Sequence, residues 1–187
     1  WYACMSDFAV MRKGATMAVA SSRVTSVAIN QPVDPEELGG WKLHTEKTGL
    51  VDHAVDSDEE ALALLRRYLS YMPQHQGSEP ARAAVPDGSD DAAARVLDEF
   101  PATENKVYDS RKVLAALMDA GSLFEMKPRF GRSIVTALAR LGGRSVGVIA
   151  SNPIVRGGAI DVDAMRKATS FLVLCDSFNL PILFLVD

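Results

Sequence analysis

The sequence predicts an α/β fold with a parallel strand in its core, and three observations carry that expectation. The last third of the chain runs strand, loop, helix, strand, and a strand returning through a helix lies parallel to its predecessor in a buried sheet. Residues 133–141 and 145–150 are both strand-like and are separated by Gly142-Gly143, a pair suited to a two-residue hairpin turn. Capped helical periodicity precedes and follows that pair.

Taken in order, residues 1–30 alternate apolar and turn segments. Residues 8–11 read as a strand, Arg12-Lys13-Gly14 as a turn, and residues 17–20 as a second strand. Asp34-Pro35-Glu36-Glu37 then starts a helix, with Asp34 as N-cap, Pro35 at the first helical position and acids in the first turn. Gly39-Gly40 interrupts it, and residues 49–54 follow as a short strand or turn. The clearest helix is capped by Ser57 or Asp58, with Ala61, Leu62, Leu64, Leu65, Tyr68 and Leu69 as its apolar stripe. Arg66 and Arg67 suit its C-terminal end, and Pro73 lies beyond it.

From Pro73 the composition changes to Gln, Gly, Ser, Pro, Ala and Asp. Such a stretch cannot bury a core by itself, so residues 76–104 read as a linker with a short helix around 92–97. Patterning resumes at Asp109 or Ser110, which caps a helix over 111–118, and Gly121 fits its stop. Asn152-Pro153 ends the second strand of the hairpin. Asp161 or Asp163 caps a helix through Ala164, Ala168, Phe171, Leu172 and Cys175, and Pro181 precedes the final apolar run.

A net charge of −4 gives no general attraction to nucleic acid or a membrane surface. No apolar run reaches transmembrane length, and the start carries no secretory signal pattern. Cys4 and Cys175 lack metal-ligand spacing and read as packing residues in a reduced, intracellular compartment. The histidines at 44, 53 and 75 fit no zinc spacing and read as surface or hydrogen-bonding groups, so no metal is expected. Neither a P-loop nor a G-x-S-x-G elbow occurs. The chemically interesting position is Asn152-Pro153. Ligands of α/β sheets favour the carboxyl ends of strands, and a following loop with Gly157 and Gly158 lets backbone N–H groups approach an anionic oxygen.

Several runs carry a family resemblance. Tyr108-Asp109-Ser110-Arg111-Lys112-Val113, Phe124-Glu125, Phe130-Gly131, residues 139–150, Asn152-Pro153, Gly158, Asp161-Val162-Asp163, Arg166-Lys167-Ala168, Phe171, residues 175–181 and Leu185-Val186-Asp187 resemble the start of the C-terminal domain of acyl-CoA carboxylase carboxyltransferase subunits, propionyl-CoA carboxylase β chains in particular. Met5-Ser6-Asp7-Phe8, Lys13-Gly14, residues 37–40, His44-Thr45, Gly49 and His53 resemble the end of the N-terminal domain of the same family.

The resemblance implies two crotonase-like domains of ββα units. Residues 1–75 would end the first, 76–104 would link, and 105–187 would begin the second. It implies an enzyme that moves a carboxyl group from carboxybiotin to the α-carbon of a short acyl-CoA such as propionyl-CoA. Biotin arrives on a partner, a biotin carboxylase or biotin carrier subunit, and the carboxyltransferase subunits assemble as oligomers, often hexamers. The cytoplasm is the expected compartment, or the mitochondrial matrix in a eukaryote. The alternatives are a biotin-dependent decarboxylase of malonyl-type thioesters and a non-catalytic paralogue in a hetero-oligomeric carboxylase. In the family the catalytic groups are backbone donors of two oxyanion holes, expected outside residues 1–187, so this stretch alone is expected to be inactive. Asn152, Pro153, Gly157 and Gly158 are the candidates for the biotin pocket. Arg156, where the family commonly carries an apolar residue, is the candidate on the substrate side. Ser151-Asn152-Pro153 replaces the usual Asn-Gln-Pro.

Overall fold

The computed structural model describes residues 2–103 and 106–186. It divides into two compact units, Trp1–Arg67 and Tyr68–Asp187. Position 104–105, where the expected linker ends, and Asp187, the last residue of the resemblance, lie outside the described residues.

In the first unit, strand β1 (Val10–Arg12) pairs in parallel with β2 (His53–Val55), Val10 opposite His53. Phe8, Met11, Val51 and Val55 form the buried apolar set. The buried Asp52 locks the entry to β1: its carboxylate accepts the Ala9 N–H at 2.9 Å, and its own N–H donates to the Ala9 carbonyl. Helix α1 (Ser22–Ile29) follows, capped by Ser21 and closed by Asn30 in the left-handed region. The sequence reading offered no helix there, because Val24, Thr25, Val27 and Ile29 are β-branched and weak helix formers. Residues 17–20, expected as a second strand, are instead a non-strand segment whose Met17 N–H donates to Gly39. Helix α2 (Pro35–Gly39) starts as expected, the Asp34 carboxylate accepting the Glu36 N–H. Gly39 is required by contact, since a Cβ would stand 2.3 Å from the Met17 carbonyl oxygen. After a π-helical turn, Leu43–Lys47, the chain reaches β2 and helix α3 (Asp58–Leu69). The division between units falls within α3. Its expected apolar stripe is not buried: Leu62, Leu65 and Leu69 are exposed, and Tyr68 alone is fully covered.

The second unit is a four-stranded sheet in the order β3-β4-β5-β6 (Phe124–Met126, Ile134–Leu141, Arg144–Ser151, Ile182–Leu185). The first two pairings are antiparallel, and β5 with β6 is parallel. The hairpin expected at Gly142-Gly143 forms, with Leu141 opposite Arg144 and both glycines at positive φ (58° and 76°). One face of the hairpin packs Val135, Ala137, Ala139, Val146, Val148 and Ala150 against Leu114 and Met118 of the α5 region (α5, Ser110–Leu117). Along the other face lies α6 (Val162–Ser177), whose N-cap Asp161 accepts the Ala164 N–H. Gly147 on β5 allows that close approach, because a Cβ there would stand 2.5 Å from Cys175 Sγ. Strand β3 was not foreseen: a three-residue strand is too short to show periodicity.

Residues 76–103, read as linker, lie within the second unit. The Ala83 N–H donates to Gly143 at 2.9 Å, and helix α4 (Ser89–Ala94) with a 3-10 turn (Val96–Glu99) occupies the region expected to hold a short helix. The Ser89 hydroxyl accepts the Ala120 N–H. Among the described residues no helix is long and apolar enough to cross a membrane.

The cysteines part ways. Cys175 is the packing residue expected, fully buried, but Cys4 is exposed. Burial pushes the Cys175 thiol up from 9.0 to about 12. Iodoacetamide at pH 8 will therefore label Cys4 and spare Cys175 until the protein unfolds; native labelling of Cys175, read by peptide mass, would contradict this. Because the unfolded thiol ionises first, this group's contribution to stability declines as pH rises from 9.0 towards about 12. Gly147→Val should destabilise the fold by about 2 kcal/mol through overpacking against Cys175 and Phe171, which chemical denaturation will measure.

Candidate functional site

The carboxyl end of β5 carries both features of interest. The first is a cleft of 390 Å³ where the parallel strands β5 and β6 end. Its walls include Phe100, Tyr108, Ser110, Ser151 and Phe184. The Phe100 and Tyr108 rings meet at 4.9 Å and 59°, a tilted aromatic pair. The Ser110 hydroxyl donates to the Ser151 carbonyl, tying the first turn of α5 to the last residue of β5. Next to that turn, Asp109 caps α5 through the Arg111 N–H. Arg111 in turn makes a bidentate pair with Glu125, 2.7 and 2.8 Å. The Glu125 carboxylate, and behind it Asp109, raise the pKa of the half-buried guanidinium, which stays charged and holds α5 to β3.

The second feature is the loop from Asn152 to Gly158. Asn152 is fully buried. Its backbone N–H donates to Ser133 at 2.9 Å and its Nδ2 to the Arg132 carbonyl at 2.9 Å, while Oδ1 is buried with no hydrogen-bond partner. Pro153 is also buried, and a Cβ on Gly158 would lie in ordinary contact with it, 3.7 Å from its Cα. Arg156, Gly157 and Gly158 then stand consecutively at positive φ (51°, 64° and 75°). Two residues turning this way are glycines, which carry no penalty there; Arg156 is the exception. Its side chain is largely exposed and pairs with Asp161, the N-cap of α6, at 3.2 Å.

The structure thus gathers the five candidate residues into one loop but gives them different positions. Asn152 and Pro153 are buried supports, whereas Arg156 and Gly157 are exposed and Gly158 half-buried. The sequence reading gave no role to Phe100, in the presumed linker, or to Ser110, taken for a helix cap; only the fold brings them to the end of β5. The histidines behave as hydrogen-bonding groups where they are buried: His44 donates Nε2–H to the Met17 carbonyl at 2.7 Å and meets Thr48 Oγ1 through Nδ1 at 3.1 Å. Among the described residues there is no group of three His, Cys, Asp or Glu side chains arranged to hold a metal ion.

Known proteins match over the whole length. The family described as the carboxyl transferase domain covers residues 1–187. The propionyl-CoA carboxylase beta chain of Roseobacter denitrificans is 36% identical over 184 residues, which are 98% of this chain and 36% of the relative. The methylmalonyl-CoA carboxyltransferase 12S subunit of Propionibacterium freudenreichii subsp. shermanii is 34% identical over 183 residues, 98% of this chain and 35% of the relative. Among solved structures, transcarboxylase 12S with hydrolysed methylmalonyl-coenzyme A bound superposes with a TM-score of 0.89 at 32% identity, over 98% of this chain and 36% of that one. The chain therefore spans about a third of the length of the relatives it matches.

Gly157 has open space where a Cβ would go, so its φ of 64° is its only constraint. Gly157→Val should cost about 1–2 kcal/mol of stability, the penalty for a branched residue in the left-handed region; an unchanged denaturation midpoint would show that the loop adopts another backbone.

Proposed function

The chain belongs to the carboxyl transferase domain family, and from that membership we propose that its full subunit transfers a carboxyl group from carboxybiotin to the α-carbon of a short acyl-CoA. The observation that carries the reading is the match over residues 1–187, with 36% identity to a propionyl-CoA carboxylase beta chain. The fold is accordingly the crotonase-like α/β fold. We assign residues 1–75 to the end of an N-terminal carboxyltransferase domain and 105–187 to the beginning of a C-terminal one.

In this reading the loop Asn152–Gly158 and the adjoining cleft face the biotin ring. The fit is chemical: a small cis-fused bicycle with an apolar thiolane half and a polar ureido edge suits walls of Phe100, Tyr108 and Phe184 interrupted by Ser110 and Ser151. Carboxybiotin, carried by a partner protein, supplies the carboxyl group. This chain's residues shape the cleft, and the glycines let backbone come close to the ring. Arg156 stands nearby as a cation held by Asp161, available to an anionic carboxyl or phosphate. Oligomeric assembly follows the same reading, since the 12S structure is described as a hexamer.

A second reading is favoured by the similarity to a methylmalonyl-CoA carboxyltransferase: the malonyl-type thioester is then the carboxyl donor and biotin the acceptor. Assay of the full subunit with its biotinylated partner decides. Bicarbonate-dependent carboxylation of acetyl-, propionyl- or a longer acyl-CoA supports the first reading and names the substrate. Carboxyl transfer only from a malonyl-type thioester supports the second. Neither activity, with the partner demonstrably biotinylated, would leave a non-catalytic paralogue.

A further inference from the structure

We propose that Lys167 is a positioning residue for the loop Asn152–Gly158, holding the start of β4 against α6 so that the loop keeps the shape that meets biotin. The proposal rests on the functional reading only for the identity of what the loop meets.

Lys167 lies in α6 and is 1% exposed. A lysine is almost never buried this fully without a reason. Its ammonium donates to the Ile134 carbonyl at 3.1 Å, and the sheet register explains why that carbonyl needs a donor. Asn152 donates to Ser133, so the odd-numbered residues of β4 exchange hydrogen bonds with β5. The even-numbered ones, Ile134, Thr136 and Leu138, turn their N–H and C=O groups towards β3. Thr136 and Leu138 stand opposite Met126 and Phe124. Continued by one step, the register would set Ile134 opposite Pro128, which has no N–H to give. The strand indeed ends at Met126, and Lys127 turns away at φ 49°. The Ile134 N–H is taken by the Gly131 carbonyl at 3.2 Å, and Lys167 supplies the donor its carbonyl would otherwise lack.

The same point of β4 anchors the loop. Asn152 hangs from Arg132 and Ser133, the two residues before Ile134. Gly131, one residue earlier, lies so close to the first turn of α6 that a Cβ would come within 2.8 Å of the Asp163 carbonyl oxygen. The far end of the loop returns to the same helix through Arg156 and Asp161. Loop, β4 start and α6 thus form a closed ring of contacts, in which the Lys167 ammonium ties helix to strand. Freeing that tie lets the anchor of Asn152 shift relative to Asp161, and with it the loop between them.

The test uses the full subunit with its biotin-carrying partner. Lys167→Met keeps an unbranched side chain as far as Cε and removes the donor. Lys167→Gln keeps a neutral N–H donor. In Lys167→Met, hydrogen exchange of amides 152 and 154–158 should quicken about tenfold while that of β5 stays unchanged. The KM for free biotin as carboxyl acceptor, from a malonyl-type thioester, should rise roughly tenfold, with the KM for the acyl-CoA thioester within about twofold. Lys167→Gln should stay within about threefold of the parent in both readouts. Unchanged exchange at 152–158, or quickening spread evenly over β4, β5 and α6, overturns the proposal. So does an equal rise in both KM values. If Lys167→Met does not fold, Lys167→Gln decides: protection kept at 152–158 supports the donor role, and its loss overturns it. Faster loop exchange with unaltered biotin kinetics would uphold the mechanical tie and refute the biotin assignment of the loop.

Discussion

The second unit depends on one tight constraint, the two-residue turn that closes β4 on β5. Both glycines turn left-handed, and both donate their N–H groups to the buried carboxylate of Asp119, at 2.9 and 2.7 Å. Asp119 is bound back to the same hairpin through its own N–H, which donates to Arg140. An anion cradled by two backbone donors is well compensated for its burial. The turn fixes a register of eight residue pairs, and the register decides which side chains meet α5 and which meet α6. Everything at the far end of the hairpin inherits that choice. Asn152 falls opposite Ser133, and the carbonyl of Ile134 points towards a strand that has already ended.

Packing on the two faces then uses unequal means. Towards α5 the hairpin offers Val and Ala, which mesh with Leu114 and Met118. Towards α6 it offers Gly147, whose missing side chain admits Cys175 and Phe171. Polar ties secure the margins: Arg111 to Glu125 on one side, and Arg140 over the Tyr71 ring at 4.3 Å on the other. Tyr71 in turn donates its hydroxyl to the Ser122 carbonyl, so residues beyond α3 are stitched to the sheet. Such ties hold elements whose own apolar area is small.

Much of this was legible in residue order. Gly142-Gly143 announced the turn, Asp161 the start of α6, and Asn152-Pro153 the loop at the carboxyl end of a core strand. The features that stayed hidden are those whose cause lies far away in sequence. Residues 76–103 look unable to pack because their composition is polar and small, yet Ala83 and Ser89 are held by groups at 143 and 120. Leu62, Leu65 and Leu69 look like a core stripe and are exposed, since periodicity reports a face and not what covers it. Of the candidate site, the loop was readable and the cleft was not, because Phe100 and Ser110 reach it only through the fold. Lys167 stood in plain view, but nothing local says that a lysine will be buried.

The mixed sheet also has a consequence for the order in which the unit forms. The hairpin joins residues separated by at most 17 positions, whereas β6 meets β5 across 35, from Gly147 to Ile182. Short closures cost less chain entropy than long ones, so the topology implies that the β4–β5 frame assembles early. The loop at 152–158 leads into α6, whose contacts with the hairpin span 33 positions from Ile134 to Lys167 and 28 from Gly147 to Cys175, so it too follows the frame. In refolding followed by pulsed hydrogen exchange, the amides of the frame would gain protection before those of the loop. The loop is then the last part of this frame to be made, and the first exposed to any fault in the helix behind it.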